Sequence, residues 1–311
     1  MILCCGEALI DMIPETTVSG RTGFVPHCGG AIFNTAIALG RLGAPVGMLT
    51  GLSDDMFGQQ LARALSTSHV DTSLAITSDA PATLAFVQLS DGQAQYTFYD
   101  ENTAGRMLAV DDMPSVPDDV STLFFGGISL VSEPAAQAYR TLALREADQR
   151  VIMLDPNIRA AFITDERRYR ERLWAMIRCA DVLKVSDEDL DWICQSRSTL
   201  AQKAQELLDN GPSVVVVTRG SDGSEAFLAD GSHVSVPAQP AHIVDTVGAG
   251  DTFNAGILAL MARKSLLSKS AIAALGAEDA AALLQFAARV ASITVSRAGA
   301  NPPWAKELDA Q

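Results

Sequence analysis

Residues 244–256, Val-Asp-Thr-Val-Gly-Ala-Gly-Asp-Thr-Phe-Asn-Ala-Gly, set one carboxylate among small residues in a spacing suited to work on an anion. Gly248, Ala249 and Gly250 are small enough for a tight turn whose backbone N–H groups converge on one point. The apolar run after them (Phe253, Ala255, Gly256, Ile257, Leu258, Ala259) reads as a buried helix opening at that turn. A helix N-terminus presents unpaired N–H donors and a partial positive charge, so phosphate is its natural ligand. Asp251 then sits where a bound phosphoryl group would meet a second reactant. A carboxylate beside an anion is repulsive unless it has a task, and accepting the proton of an attacking hydroxyl is the simplest one.

Further reactive groups follow apolar runs elsewhere in the chain: Asp11, Asp155-Pro156-Asn157-Ile158-Arg159, Lys184-Val185-Ser186 and Thr218-Arg219-Gly220. If those runs are parallel strands, all four groups lie outside the carboxyl ends of one sheet, where such sheets bind ligands. Other chemistries lack their signatures. There is no Gly-x-x-x-x-Gly-Lys-Ser/Thr, no His-Glu-x-x-His, and no Gly-x-Gly-x-x-Gly after the first strand. The four histidines are scattered, which argues against a tight zinc site.

The positioning elements follow from periodicity. Ile2–Ile10 reads as a short buried strand with Asp11 just beyond it, and residues 12–27 as two short strands or loops leaving the core. A helix is expected from Gly29 to Leu42, a strand over Val46–Thr50, and a helix over Asp54–Leu65. Residues 83–99 read as a hairpin with its turn at Ser90-Asp91-Gly92. With residues 12–27, the 83–106 segment forms a small β lid on one domain spanning 1–311. Strands at Leu123–Phe125, Val151–Leu154, Val182–Val185 and Val214–Thr218 alternate with helices over 133–149, 167–178 and 186–209. That alternation predicts an α/β fold with a mostly parallel sheet covered on both faces. Ser224–Leu228 and His233–Val236 read as an edge hairpin, and helices from Gly250 and Glu278 close the fold.

Composition bounds the partners. The 311 residues are 48% hydrophobic and carry a formal net charge of −14, which disfavours nucleic acid and anionic membrane surfaces. It leaves nucleotides open, because local donors and a metal can bind phosphate in an acidic protein. Five cysteines (Cys4, Cys5, Cys28, Cys179, Cys194) form no CxxC pair, as expected of free thiols in a reducing cytoplasm. The N-terminus lacks the pattern of a signal peptide, and no apolar run reaches the ~20 residues of a membrane span.

Asp245-Thr246-Val247-Gly248-Ala249-Gly250-Asp251-Thr252-Phe253 resembles the C-terminal signature of the ribokinase-like (PfkB) carbohydrate kinases. Cys28-Gly29-Gly30-Ala31-Ile32-Phe33-Asn34-Thr35-Ala36 with Leu39-Gly40-Arg41-Leu42-Gly43 is similar to the first signature of that family. Order, spacing and the intervening flap agree, so the resemblance spans nearly the whole chain. It implies a three-layer α/β sandwich with a β lid, and an ATP- and Mg2+-dependent sugar kinase. Asp251 would be the catalytic base and Gly248, Ala249 and Gly250 the anion hole, with Arg159 neutralising the transferred phosphate. Asp11, Gly29, Gly30, Asn34 and Phe98 would hold the sugar. Lys184, Ser186, Thr218, Gly220 and Gly223 would contact ATP.

The family's Asn-x-x-Glu motif is altered here to Ser186 and Asp189. Asp189, or Glu188 in its place, would position magnesium through water; equally, Ser186 before acidic residues reads as a helix N-cap. Asp245, Thr246 and Ser296-Arg297-Ala298-Gly299-Ala300 match positions where relatives bind a monovalent cation such as K+. Relatives acting on 2-keto-3-deoxygluconate place Arg after an aromatic in the flap, where this chain has Asp100 and Glu101. An acidic rim disfavours an anionic substrate. The pattern, Gly6-Glu7-Ala8-Leu9-Ile10-Asp11-Met12 included, looks most like the bacterial fructose-phosphorylating branch. A primary hydroxyl of a neutral ketohexose, D-fructose first, is therefore the expected acceptor. 2-Keto-3-deoxygluconate kinase, ribokinase and a non-catalytic sugar or nucleotide sensor are the alternatives. A homodimer through the lid strands would cover an open sheet edge.

Overall fold

Runs of Val, Ile, Leu and Cys are buried on both sides, as strands of a parallel sheet must be. The computed structural model describes residues 1–90 and 93–308. In β1 (Ile2–Cys5), Ile2 and Cys4 face one core cluster while Leu3 and Cys5 face the other. The adjacent thiols thus point to opposite layers, both buried. The chain then leaves the core through β2 (Leu9–Thr16) and β3 (Thr22–Gly29), an antiparallel pair whose far ends are exposed. It returns in α1 (Ala31–Arg41), which buries Ile32, Phe33, Ala36 and Leu39, and β4 (Val46–Leu49) joins β1 in parallel. β5 (Gly51–Ser53), α2 (Met56–Thr67) and β6 (Ile76–Ser78) form a small side unit. β7 (Leu84–Ser90) and β8 (Gln93–Tyr99) are the expected hairpin, whose Asp91-Gly92 turn lies outside the described residues.

Strand and helix then alternate through β9 (Thr122–Gly126), α3 (Ala135–Glu146), β10 (Val151–Asp155), α4 (Glu166–Ile177) and β11 (Val182–Ser186). α5 (Asp187–Ile193), α6 (Leu200–Leu208), β12 (Val214–Thr218) and the hairpin β13 (Ser224–Leu228) and β14 (His233–Val236) follow. The chain ends in α7 (Ala249–Arg263), α8 (Lys269–Ala273), α9 (Ala277–Val295) and α10 (Ala305–Leu308).

The main sheet runs β4-β1-β9-β10-β11-β12-β13-β14, parallel through β12 and antiparallel beyond it. Helices α1, α7 and α9 cover one face, and α3 to α6 the other. This is the expected three-layer α/β sandwich with a mostly parallel sheet. A second sheet, β3-β2-β7-β8, stands at the carboxyl edge of the first. Among the described residues no helix is long and apolar enough to cross a membrane.

Two local expectations are corrected. Ile2–Ile10 is not one strand: the chain breaks at Gly6, where an added Cβ would lie 2.4 Å from Ile32 Cγ1, so the backbone passes hard against α1. Leu9, Ile10 and Asp11 consequently belong to the lid strand β2. The single helix expected over 186–209 is two, because Thr199 opens a fresh capping box with Gln202. The hairpin ends at Tyr99 as expected, and residues 101–102 and 104–107 are turns.

Candidate active site

Two cavities open at the carboxyl edge of the main sheet. The first, about 380 Å3, is lined by Asp11, Asn34, Phe98, Arg159, Lys184 and Asp251 among others. The second, about 530 Å3, is lined by Thr218, Gly220, Gly223, Ile243, Phe253 and Val295 among others. They share Thr246, Ala249 and Gly250, so the anion turn is the wall between them.

That turn is built by backbone constraint. Gly248 has φ +77° and leads directly into α7; a Cβ there would also lie 2.7 Å from Ala300 Cβ. The Gly248 carbonyl accepts from Thr252 N (2.9 Å) and Thr252 Oγ1 (2.6 Å). The Ala249 N–H is occupied by Thr246 O at 3.2 Å, so Gly250 and Asp251 supply the amides that helix geometry leaves open. Asp245 ties the turn to the C-terminal loop: one carboxylate oxygen accepts from Val247 N at 3.0 Å, the other from Gly299 N at 2.9 Å. The segments 245–246 and 296–300 therefore do meet.

Asp251 is 8% exposed. Its Oδ2 accepts a 2.8 Å hydrogen bond from Asn34 Nδ2, and Thr35 Oγ1 donates to its carbonyl at 3.1 Å. Burial pushes the carboxyl up to about 7; Asn34 and Lys184 oppose that rise, while Asp155 and Glu7 add to it. Asp11 lines the same cavity from the lid, and burial raises it to about 6. Gly29 on β3, opposite Leu9, leaves the room that the Asp11 side chain occupies: a Cβ there would fall 2.0 Å from Asp11 Oδ2. Gly30, at φ +107°, caps α1 against Glu7.

Phe98 lies over the cavity, stacked with Tyr96 at 6.2 Å between centroids and edge-on to Phe162 at 4.7 Å. The lid thus meets the body through aromatic rings. Arg159 reaches the cavity with its guanidinium held by Asn157 Oδ1 at 2.7 Å, where Asn157 takes the unusual φ of 44°.

Several groups sit elsewhere than the sequence suggests. Ser186 and Asp189 line neither cavity; they form a capping box at the start of α5, and Asp189 Oδ1 accepts from Ile158 N at 3.0 Å. Asp189 is thereby buried in a structural task, and Glu188 is exposed. Among the described residues no cluster of three or more His, Cys, Asp or Glu side chains could hold a metal. The acidic rim is not there either. Asp100 accepts from Arg106 Nη1 (2.8 Å) and Ser132 Oγ (2.9 Å), and neither it nor Glu101 lines either cavity.

Four residues take part that the sequence assigned no individual role: Glu7, Asp155, Asn254 and Phe162. Glu7 is half-buried in the floor, accepting from the Ala31 and Ser129 amides at 2.9 and 3.2 Å, and desolvation raises its carboxyl. Its sequence signal is a carboxylate inside an apolar run. Asp155 with Asn254 forms a buried cluster around Lys184. Phe162 stands on a 3-10 turn with no pattern to announce it.

The chain matches the pfkB family carbohydrate kinase model over residues 1–307. It is 50% identical over 275 residues to a fructokinase of Rhizobium leguminosarum bv. trifolii, covering 88% of this chain and 84% of that protein. It is 30% identical over 320 residues to fructokinase-1 of Zea mays, covering 99% and 96%. A crystal structure of fructokinase with bound ATP from Xylella fastidiosa superposes with a TM-score of 0.89 at 27% identity, covering 99% of this chain and 97% of that one. With the ribokinase-like sandwich and the anion turn in place, these similarities establish that the chain belongs to the pfkB family of carbohydrate kinases and is an ATP-dependent sugar kinase.

Proposed function

We propose that this kinase transfers the γ-phosphate of ATP to a primary hydroxyl of D-fructose. The observation that carries the reading is the shared wall: Gly250 borders both cavities, and Asp251 faces only the first. A sugar in the first cavity and a nucleotide in the second would meet across the Gly250 amide, with the carboxylate on the acceptor side. The second cavity fits a nucleotide. Ile243, Phe253 and Val295 offer apolar walls for a base. Gly220 and Gly223 take positive φ, and a Cβ at Gly223 would lie 2.2 Å from Val236 O.

Asp251 takes the proton of the attacking hydroxyl. An acid raised to about 7 is well matched to that role near neutral pH. Asn34 occupies Oδ2 and leaves Oδ1 for the hydroxyl. Asp11 fixes sugar hydroxyls from the lid, Phe98 covers the ring, and the Gly250 and Asp251 amides with Arg159 and Lys184 absorb charge as the phosphoryl group moves. Closure of the aromatic lid contact excludes water. Mg2+ carried on the ATP phosphates would neutralise charge on the transferred group, with Arg159 and Lys184 beside it. Asp245, Thr246 and the 296–300 loop form the place where K+ would bind through carbonyls. The chain works in the cytoplasm, and its lid strands pair two copies.

The test is a panel of sugars with MgATP. D-Fructose should give the highest kcat/KM, above ribose and 2-keto-3-deoxygluconate, and Asp251→Asn should lower kcat by about 10²–10⁴-fold, the usual loss of a general base. Preference for the acid sugar, or near-normal turnover in the variant, overturns the reading.

A further inference from the structure

The geometry points to Asp155 as a positioning residue for phosphoryl transfer, holding the Lys184 ammonium beneath the Gly250 end of the anion turn. This inference rests on the kinase reading above. β10 and β11 run in parallel with Leu154 opposite Leu183, which sets Asp155 beside Lys184 at the strand ends. Lys184 Nζ lies 3.0 Å from Asp155 Oδ2, and both residues are almost wholly buried. A Cβ built on Gly250 would come to 3.4 Å from that ammonium, so Lys184 supports the turn from below and lines the first cavity. Asp155 lines neither cavity.

The satisfaction pattern is unlike that of a structural ion pair. Asn254 Nδ2 donates to the same Asp155 Oδ2 at 2.6 Å, while Asp155 Oδ1 and Asn254 Oδ1 are buried with no partner among the described residues. Buried acceptors are normally paired, and a purely structural pair is commonly replaceable by apolar residues without loss. An ammonium has three donors, and Asp155 engages it on one side, leaving the cavity side for phosphate oxygens. Without Asp155 the Lys184 ammonium would be a buried charge with no counterion, an arrangement far costlier than the intact pair. Asn254 stands three residues after Asp251, so the first turns of α7 carry both the base and the clamp on Asp155.

Lys184 therefore meets the transferred phosphoryl group, and Asp155 acts through it. The test compares Lys184→Met, Asp155→Asn and the double variant, the last removing both buried charges at once. Lys184→Met should cut kcat by about 10²-fold or more, the scale of one lost charge-stabilising donor. Fructose KM should stay within about threefold. Asp155→Asn should lose a similar factor, and the double variant should be no worse than Lys184→Met alone, because the two residues act as one unit. If Asp155→Asn does not fold, the comparison of Lys184→Met with the double variant still decides. The proposal is overturned if Asp155→Asn keeps kcat within about threefold, if the double loss is the product of the single losses, or if the change falls on fructose KM. Absence of turnover with fructose and MgATP in the unaltered protein would instead remove the kinase reading itself.

Discussion

Asn34 Nδ2 donates to Asp251 Oδ2 at 2.8 Å, joining two residues 217 positions apart. The contact exists because α1 and α7 pack side by side on one face of the sheet, and Thr35 reinforces it by donating to the Asp251 carbonyl. It commits one carboxylate oxygen of a cavity-lining residue to the Asn34 amide. Burial alone would favour the protonated acid, and Asn34 pulls the balance back toward the charged form.

The pH profile should report that balance. Asp251 must be ionised to accept a proton, so kcat/KM should rise with pH through an apparent value near 7. Asn34→Ala removes a group that stabilises the carboxylate, and the acidic limb should move to higher pH; Asp155, Lys184 and Glu7, the other charged groups acting on Asp251, stay in place. Stability has the opposite sense. A carboxyl raised above its ordinary 3.8 favours the folded state below about pH 4, and that contribution is lost as pH rises through about 7. Asp251→Asn should thus raise Tm at pH 8, by an amount worth a few kcal/mol at ~1.4 kcal/mol per pK unit, and leave it nearly unchanged at pH 4. An unmoved limb in Asn34→Ala, measured in initial-rate profiles from pH 5 to 9, would remove Asn34 from this role.

Gly29→Ala tests the sugar side without touching a polar group. The new Cβ would fall 2.0 Å from Asp11 Oδ2 and 3.1 Å from its Cγ, so the carboxylate has to move. The backbone is not at fault, since Gly29 is not among the positive-φ glycines. Losing one charge-assisted hydrogen bond is worth ~1.5–3 kcal/mol, so fructose KM should rise about 10- to 100-fold. With ATP placed by the proposed function in the other cavity, its KM should stay within about twofold. Equal losses on both substrates would mean that the substitution disturbs the fold rather than Asp11.

Much of this architecture was legible because it follows from local chemistry. β-branched runs predict the buried strands, and the small residues around Gly248 predict a turn feeding a helix; both are found. Residues placed by register were not legible. Asp155 and Lys184 become partners only through the pairing of β10 with β11, and no local pattern states which strands are neighbours. Glu7 was hidden in an apolar run because its partners, the amides of Ala31 and Ser129, come from distant segments. Ser186 and Asp189 could be read two ways, and the capping box shows the helix-cap alternative to be the one their side chains adopt.

Asp100 shows where charge read from a sequence misleads. As an acidic lid residue it suggests a rim that repels acid sugars, yet its two oxygens are taken by Arg106 and Ser132, and it faces neither cavity. The carboxylate that lines the first cavity from β2 is Asp11. Asp100→Asn should therefore leave the ratio of kcat/KM for fructose over 2-keto-3-deoxygluconate within about twofold, and cost no more than the ~0–1 kcal/mol of a partly exposed ion pair. Asp11→Asn should lower the same ratio, because it removes negative charge where an acid substrate would sit. Parallel kinetics on both sugars decide between the two carboxylates: a collapse of selectivity in Asp100→Asn with none in Asp11→Asn would return the discrimination to the outer loop.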